Sequence, residues 1–222
     1  MIMNTLIAVV LPTLDTADSL ARVLSELPAG LLAIVVDDGS RIPVTVSRSD
    51  TFVVRHAVNR GYGAAQKSGY ALALAKGADR VVLLHGDGQY DTAATLALAG
   101  VLDSADAAMG SRFMADPLVI PTWRRIGNRA LTGAANLRFG TEFTDLHSGA
   151  RAFRAETLRD LPLASFSDDF VFDQQVLLAL IRKGARLEER SVSTHYDGTT
   201  RSISPARSVR YGIGCIRAIL AG

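Results

Sequence analysis

Asp87-Gly88-Gln89 places a carboxylate and an amide carbonyl two residues apart on a bend, directly after the apolar run Arg80–Leu84. Two hard oxygen ligands in that arrangement suit one divalent cation, whose remaining positions a diphosphate can fill. An Asp-Gly turn is the plain structural reading; the position at the end of a buried run favours the metal. Two histidines add to it. His85, two residues before Asp87, either coordinates, which would favour Mn²⁺ over Mg²⁺, or packs beside the metal. His195 follows a predicted strand and offers either a ligand from an opposing wall or a structural contact.

A second cluster, Asn59-Arg60-Gly61-Tyr62-Gly63, opens an Ala-rich stretch. Glycines at a helix start let backbone N–H groups approach an anion. The cluster lacks the Gly-Lys-Ser/Thr of a P-loop. Its Gly-x-Gly follows the third apolar run rather than the first, so it is no dinucleotide fingerprint either.

Short β-branched runs alternating with Ala/Leu helical patterns must position these groups, which predicts βαβ units and a mostly parallel sheet. Predicted strands are Leu6–Leu11, Ala33–Val36, Phe52–Arg55, Arg80–Leu84, Ala105–Met109 and Leu187–Thr194. Predicted helices follow Asp15 or Thr16 as cap, then cover Gly61–Lys76, Ile126–Phe139 and Asp173–Lys183, with a proline-bearing loop over Asp116–Arg125. Pro12-Thr13, Asp37-Asp38, His85-Gly86-Asp87 and Ser111-Arg112 each fall just after a strand. In an open α/β sheet that edge is where ligands bind.

The 222 residues, 48% hydrophobic and 21% charged, suit one domain and exclude disorder as the main state. A chain of this length buries roughly 70–75% of its unfolded surface, so the lone Cys215 is no deficit. The net charge of +2 argues against a nucleic-acid partner. Its distribution is uneven: Gly198–Gly222 holds Arg201, Arg207, Arg210 and Arg217 without an acid, leaving 20 basic against 22 acidic residues before it. Arginine outnumbers lysine 21 to 3, which suits bidentate phosphate contacts and equally a GC-rich coding bias. The first eleven residues have no basic region of a secretory signal, so a cytoplasmic location is expected. Tyr211–Gly222 is too short to span a bilayer, which needs about 20 residues.

Strand-Pro-Thr, Val36-Asp37-Asp38-Gly39-Ser40, Asn59-Arg60-Gly61-Tyr62-Gly63-Ala64, Leu84-His85-Gly86-Asp87-Gly88-Gln89-Tyr90-Asp91, Gly110-Ser111-Arg112 and Thr144-Asp145-Leu146-His147-Ser148-Gly149-Ala150-Arg151-Ala152-Phe153 occur in this order. The set resembles the family-2 inverting glycosyltransferases, and within them the polyprenyl-phosphate sugar transferases of the dolichyl-phosphate mannose synthase group. The resemblance spans about residues 5–205 and implies a single GT-A-type α/β nucleotide-binding domain over residues 1–205, followed by a basic amphipathic helix over 206–222. It implies that Pro12, Thr13 and Asp38 hold the nucleoside, with Asp37 either beside them or supporting the turn. Asn59, Gly61 and Gly63 would line the nucleotide pocket, and Asp87 with Gln89 would hold Mg²⁺ or Mn²⁺. Arg112 would bind phosphate or acceptor, and Arg201 with Ser202 would close over the phosphates. Where the family places an Asp-x-Asp, this chain has His85 for the first Asp.

The implied reaction moves a sugar from a nucleotide sugar to a polyprenyl phosphate with inversion. A lipid-phosphate acceptor is already ionised near neutral pH and needs no strong base. A saccharide or protein hydroxyl as acceptor would need one, for which Asp168, Asp169 and Asp173 are the candidates. A non-catalytic nucleotide-sugar-binding protein is the reading from a different class, and the His85 departure supports it. The apolar Ile213, Ile216, Ile219 and Leu220 beside the arginines fit either peripheral contact with the cytoplasmic membrane face, or a solvated helix or dimer contact.

Overall fold

The protein is described by a computed structural model over residues 5–116, 118, 120–195 and 205–221. Among the described residues seven strands form one sheet: β1 (Ile7–Thr13), β2 (Leu32–Asp37), β3 (Thr51–Arg55), β4 (Arg80–Leu83), β5 (Ala107–Ser111), β6 (Arg151–Arg154) and β7 (Leu187–Ser191), in the order β3-β2-β1-β4-β6-β5-β7. Only β6 opposes its neighbours, pairing antiparallel with both β4 and β5. This is the mostly parallel α/β sheet expected from the sequence.

The strands read as unbroken apolar runs because both faces are covered. Along β1, Ala8 and Val10 pack into one layer and Val9 and Leu11 into the other, as the two-residue period of a strand requires. Helices α1 (Ala17–Glu26) and α3 (Thr92–Val101) close one layer through Leu20, Val23, Leu24 and Leu98. Helices α2 (Tyr62–Ala75) and α6 (Val171–Arg182) close the other through Tyr70, Ala73, Val176 and Leu180. A third cluster joins α4 (Thr122–Phe139), α6 and α7 (Pro205–Leu220) around Ala135, Leu177, Leu178 and Ile219. The short α5 (Ala155–Arg159) follows β6.

The differences from the sequence reading are local. β1 continues through Pro12, which lacks an N–H, because Pro12 pairs only with Val36 of β2 while β4 has already ended opposite Val10. Thr16 stands at the start of α1 but its hydroxyl bonds that of Thr13. α4 begins at Thr122, four residues before the expected Ile126, directly behind Pro121. β7 ends at Ser191, and Thr194 makes a separate bridge to Tyr90.

β6 carries Arg151, the largest side chain in the buried interior, with 1% of its surface exposed. Its guanidinium donates to the carbonyls of Ser148 (3.0 Å), Leu146 (3.2 Å) and Asp173 (2.6 Å), and lies 3.8 Å from the Asp173 carboxylate. Arg151→Met should cost about 3–5 kcal/mol, because three carbonyls and a carboxylate lose their partner without access to water. Urea denaturation measures this, and a loss below about 1 kcal/mol would contradict the structural weight given to the residue.

Candidate active site

The chain leaves β1 for β2 and β3 on one side, then crosses to β4 on the other, so the sheet reverses direction beside β1. At the carboxyl edge there, where such sheets bind ligands, lies an open cavity of about 1250 Å³. Pro12 and Thr13 reach it from β1, Asp38 from the end of β2, and His85 and Asp87 from the turn after β4. Asn59, Gly61 and Tyr62 line it ahead of α2, Asp168, Asp169 and Phe170 ahead of α6. Four arginines also face it: Arg22 from α1, Arg60, and Arg207 and Arg210 from α7.

Asp37 and Asp38 divide the work of their turn. Asp37 is fully buried and accepts from the backbone of Ser40 (2.8 Å) and Val44 (3.2 Å) and from Arg55. Burial opposes its ionisation, but the Ser40, Val44 and Arg55 bonds outweigh that and lower its pKa. It therefore supports the turn, and it is not on the cavity lining. Asp38 is on the lining, yet its carboxylate is engaged by His56 Nδ1 (2.6 Å) and the N–H groups of Arg60 and Gly61 (both 2.9 Å).

The glycine loop departs from the anion cradle its composition suggests. The N–H groups of Gly63 (2.8 Å) and Ala64 (3.2 Å), at the start of α2, donate to the Asp168 carbonyl. With Arg60 and Gly61 bound to Asp38, four amides of this loop are taken by protein oxygens. The glycines serve close packing instead: a Cβ at Gly61 would collide with the Asp168 carbonyl, and one at Gly63 would lie 2.7 Å from Phe172 Cβ. Gly61 also holds φ +108°, a region that side chains disfavour.

At the turn after β4, Asp87 Oδ1 accepts from the Gln89 N–H at 3.0 Å. Gln89 lies outside the cavity lining, with its backbone carbonyl bonded to the His195 N–H at 2.8 Å, which brings the late histidine beside this turn. The His85 ring is held edge-on by Tyr62 and Tyr90, and its Nε2 lies 2.6 Å from the Tyr62 hydroxyl. Only a glycine fits at 149, since a Cβ there would run into that ring. Tyr62 also stacks on Phe170 at 5.0 Å, and burial holds its hydroxyl protonated well above the usual range. Among the described residues, no group of three or more His, Cys, Asp or Glu is placed to hold a metal. A cation here would draw on Asp87, the side-chain amide oxygen of Gln89 and the oxygens of its substrate, a donor set that fits Mg²⁺ or Mn²⁺ without enclosing it.

Arg112 is also off the lining. It forks onto Asp145, Nε to Oδ2 at 2.7 Å and Nη2 to Oδ1 at 3.0 Å, and burial of that carboxyl is outweighed by the Arg112 charge, so its pKa falls. Next along, His147 Nδ1 bonds the Tyr211 hydroxyl of α7 at 2.7 Å, while its Nε2 is enclosed without a partner. Asp173 points inward, accepting from Gln66 Nε2 at 2.8 Å, and is only 8% exposed. Of the three carboxylates named as candidate bases, only Asp168 and Asp169 reach the cavity, and Asp168 is paired with Lys67 at 2.9 Å. Arg201 and Ser202 lie outside the described residues. Arg22, Phe170 and the α7 arginines carry no motif, and their part in the cavity appears only when the chain closes.

An open, mostly parallel α/β sheet with a cavity at its direction change, an Asp-Gly-Gln turn and an Asp-Asp-Gly turn is the arrangement of a GT-A fold. Residues 8–161 match glycosyl transferase family 2, and the chain belongs to that family: it is a glycosyltransferase. It is 29% identical over 209 residues to glycosyltransferase AglJ of Haloferax volcanii, covering 90% of this chain and 67% of that one. It is 27% identical over 194 residues to the undecaprenyl-phosphate mannosyltransferase of Micrococcus luteus, covering 81% and 79%. Glucosyl-3-phosphoglycerate synthase of Mycobacterium tuberculosis, solved with Mn²⁺, UDP-glucose and phosphoglyceric acid, superposes with a TM-score of 0.70 at 19% identity, over 98% of this chain and 79% of that one. That likeness shows the shared fold.

Burial lowers the His147 pKa from 6.5 to about 4, against the pull of Asp145. The unfolded chain takes up that proton near 6.5 and the folded one only near 4, so stability should fall as the pH drops through this window. The loss at its lower end should be about 3 kcal/mol. Denaturation midpoints between pH 7 and pH 4 measure it, and His147→Asn should flatten the slope.

Proposed function

We propose that this glycosyltransferase moves a sugar from a nucleotide sugar to a polyprenyl-phosphate-type lipid acceptor, with inversion at the anomeric carbon and with a divalent cation. The observation that carries the reading is the placement of α7. Its Arg207 and Arg210 face the cavity, and its Val209, Ile213, Ile216 and Leu220 are 48–70% exposed. A cationic, apolar helix at the cavity mouth suits an acceptor whose phosphate must enter while its chain stays in a lipid surface. No helix among the described residues is long and apolar enough to cross a membrane, so the contact would be peripheral. The Micrococcus luteus relative, whose name specifies undecaprenyl phosphate, agrees with this acceptor class.

In this reading Pro12, Thr13, Asn59 and Gly61 bound the nucleoside, and Asp38 shapes the pocket by holding the loop of Arg60 and Gly61 as well as facing it. Asp87 and Gln89 would hold Mg²⁺ or Mn²⁺, which supplies neutralisation of the leaving diphosphate. Arg112 acts through Asp145 as a positioning residue for the wall that carries His147 and Tyr211. The ionised acceptor phosphate attacks in line, opposite the diphosphate, and the arginines of α7 orient it. With Asp173 buried, no base is required of it.

Asp169 supports a second reading, because it is exposed, lines the cavity, and could serve as base for a saccharide or protein hydroxyl. Incubation with labelled nucleotide sugars, Mn²⁺ and either polyprenyl phosphate or saccharides separates the two. Product formed only on saccharides would overturn the lipid acceptor. Asp87→Ala should lower transfer about 10²-fold or more; unchanged transfer would exclude Asp87 from the site. Ile213→Glu with Ile216→Glu should cost about tenfold in flotation with anionic liposomes, while leaving transfer to a short-chain soluble acceptor intact.

A further inference from the structure

The cavity needs positive charge to hold a diphosphate, and most of the usual backbone source is consumed. The amides of Arg60, Gly61, Gly63 and Ala64 donate to Asp38 and Asp168, and the strand-end motif has one carboxylate where the related pattern has two. Both features throw the charge balance onto side chains. Arg22 is the one that stands over the Asp87–Gln89 turn. A Cβ at Gly88, the residue between the two proposed cation ligands, would collide with its Nη2, and the guanidinium lines the cavity.

Helix geometry sends it there. Leu20, Val23 and Leu24 turn the core face of α1 onto the sheet, and Arg22 falls off that face. One turn away in either direction stand Asp18 and Glu26, the ordinary helical partners of an arginine. Asp18 itself lines the cavity, and Glu26 accepts from the Thr92 hydroxyl instead. Among the described residues Arg22 makes no ion pair and no side-chain hydrogen bond. An unpaired fork of donors beside a cation-binding turn fits a phosphate group.

We propose that Arg22 is a diphosphate-binding residue of the donor site, and that it gives this enzyme a hold on the diphosphate that persists without the divalent cation. The proposal rests on the nucleotide-sugar reading above. Having His85 in place of an acid reinforces it: one negative charge fewer at the turn leaves the neighbourhood of Gly88 more favourable to an anion, whether or not a cation is bound.

Calorimetric titration of the full chain with UDP, GDP, UMP and GMP, in Mn²⁺ and again in chelator, tests this without reference to turnover. The wild type should keep a preference for a diphosphate over its monophosphate in chelator. Arg22→Gln should reduce that preference about tenfold or more, and Arg22→Lys, which keeps the charge but not the fork, should fall between. Arg22 is exposed, so both variants should melt like the wild type. An Arg22→Gln variant with the wild-type preference overturns the proposal, as does a wild type that loses all diphosphate binding in chelator. Failure of the wild type to bind any of the diphosphates even with Mn²⁺ would overturn the donor reading itself.

Discussion

The buried guanidinium of Arg151 is the constraint on which the rest of this site depends. A cation shut away from water must find acceptors for its donors, and Arg151 finds them in the backbone of Leu146, Ser148 and Asp173. That ties the one reversed strand to the segment between α4 and β6 and to the start of α6. Asp145, His147 and Gly149 are set in the same stroke. Asp145 then holds Arg112, His147 meets Tyr211 of α7, and Gly149 leaves room for the His85 ring.

A second closure builds the donor side. Segment 167–169 packs over the glycine loop so tightly that its carbonyl oxygen caps α2, and Lys67 and Tyr62 fasten it through Asp168 and Phe170. The result is a loop made rigid by protein acceptors rather than left open for an anion. Rigidity of that kind positions a nucleoside well, but leaves the phosphates to depend on side-chain cations and a metal.

The sheet and its polar edge were legible because apolar runs and following Asp, Gly and Thr residues are local signals. Strand ends were read less well, as at Pro12 and Ser191, since a strand ends where its neighbour stops pairing. Asp37 and Asp38 are adjacent and alike in sequence, yet one faces the cavity and the other does not. Asp173 looked no different from Asp169, and only the packing of α6 against Gln66 turned it inward.

By itself, the sequence determined the α/β class, the order of the motifs and the family resemblance, because each rests on residues close together in the chain. Only the tertiary structure decided which of those residues share a cavity, that four glycine-loop amides are already bonded, and that Arg22 and the α7 arginines line the cavity with Asp87. Those facts depend on contacts between segments distant in sequence, Arg22 with Gly88 and Gly63 with Asp168 among them. No local pattern encodes which partner a buried donor or an unpaired guanidinium will meet when the chain closes.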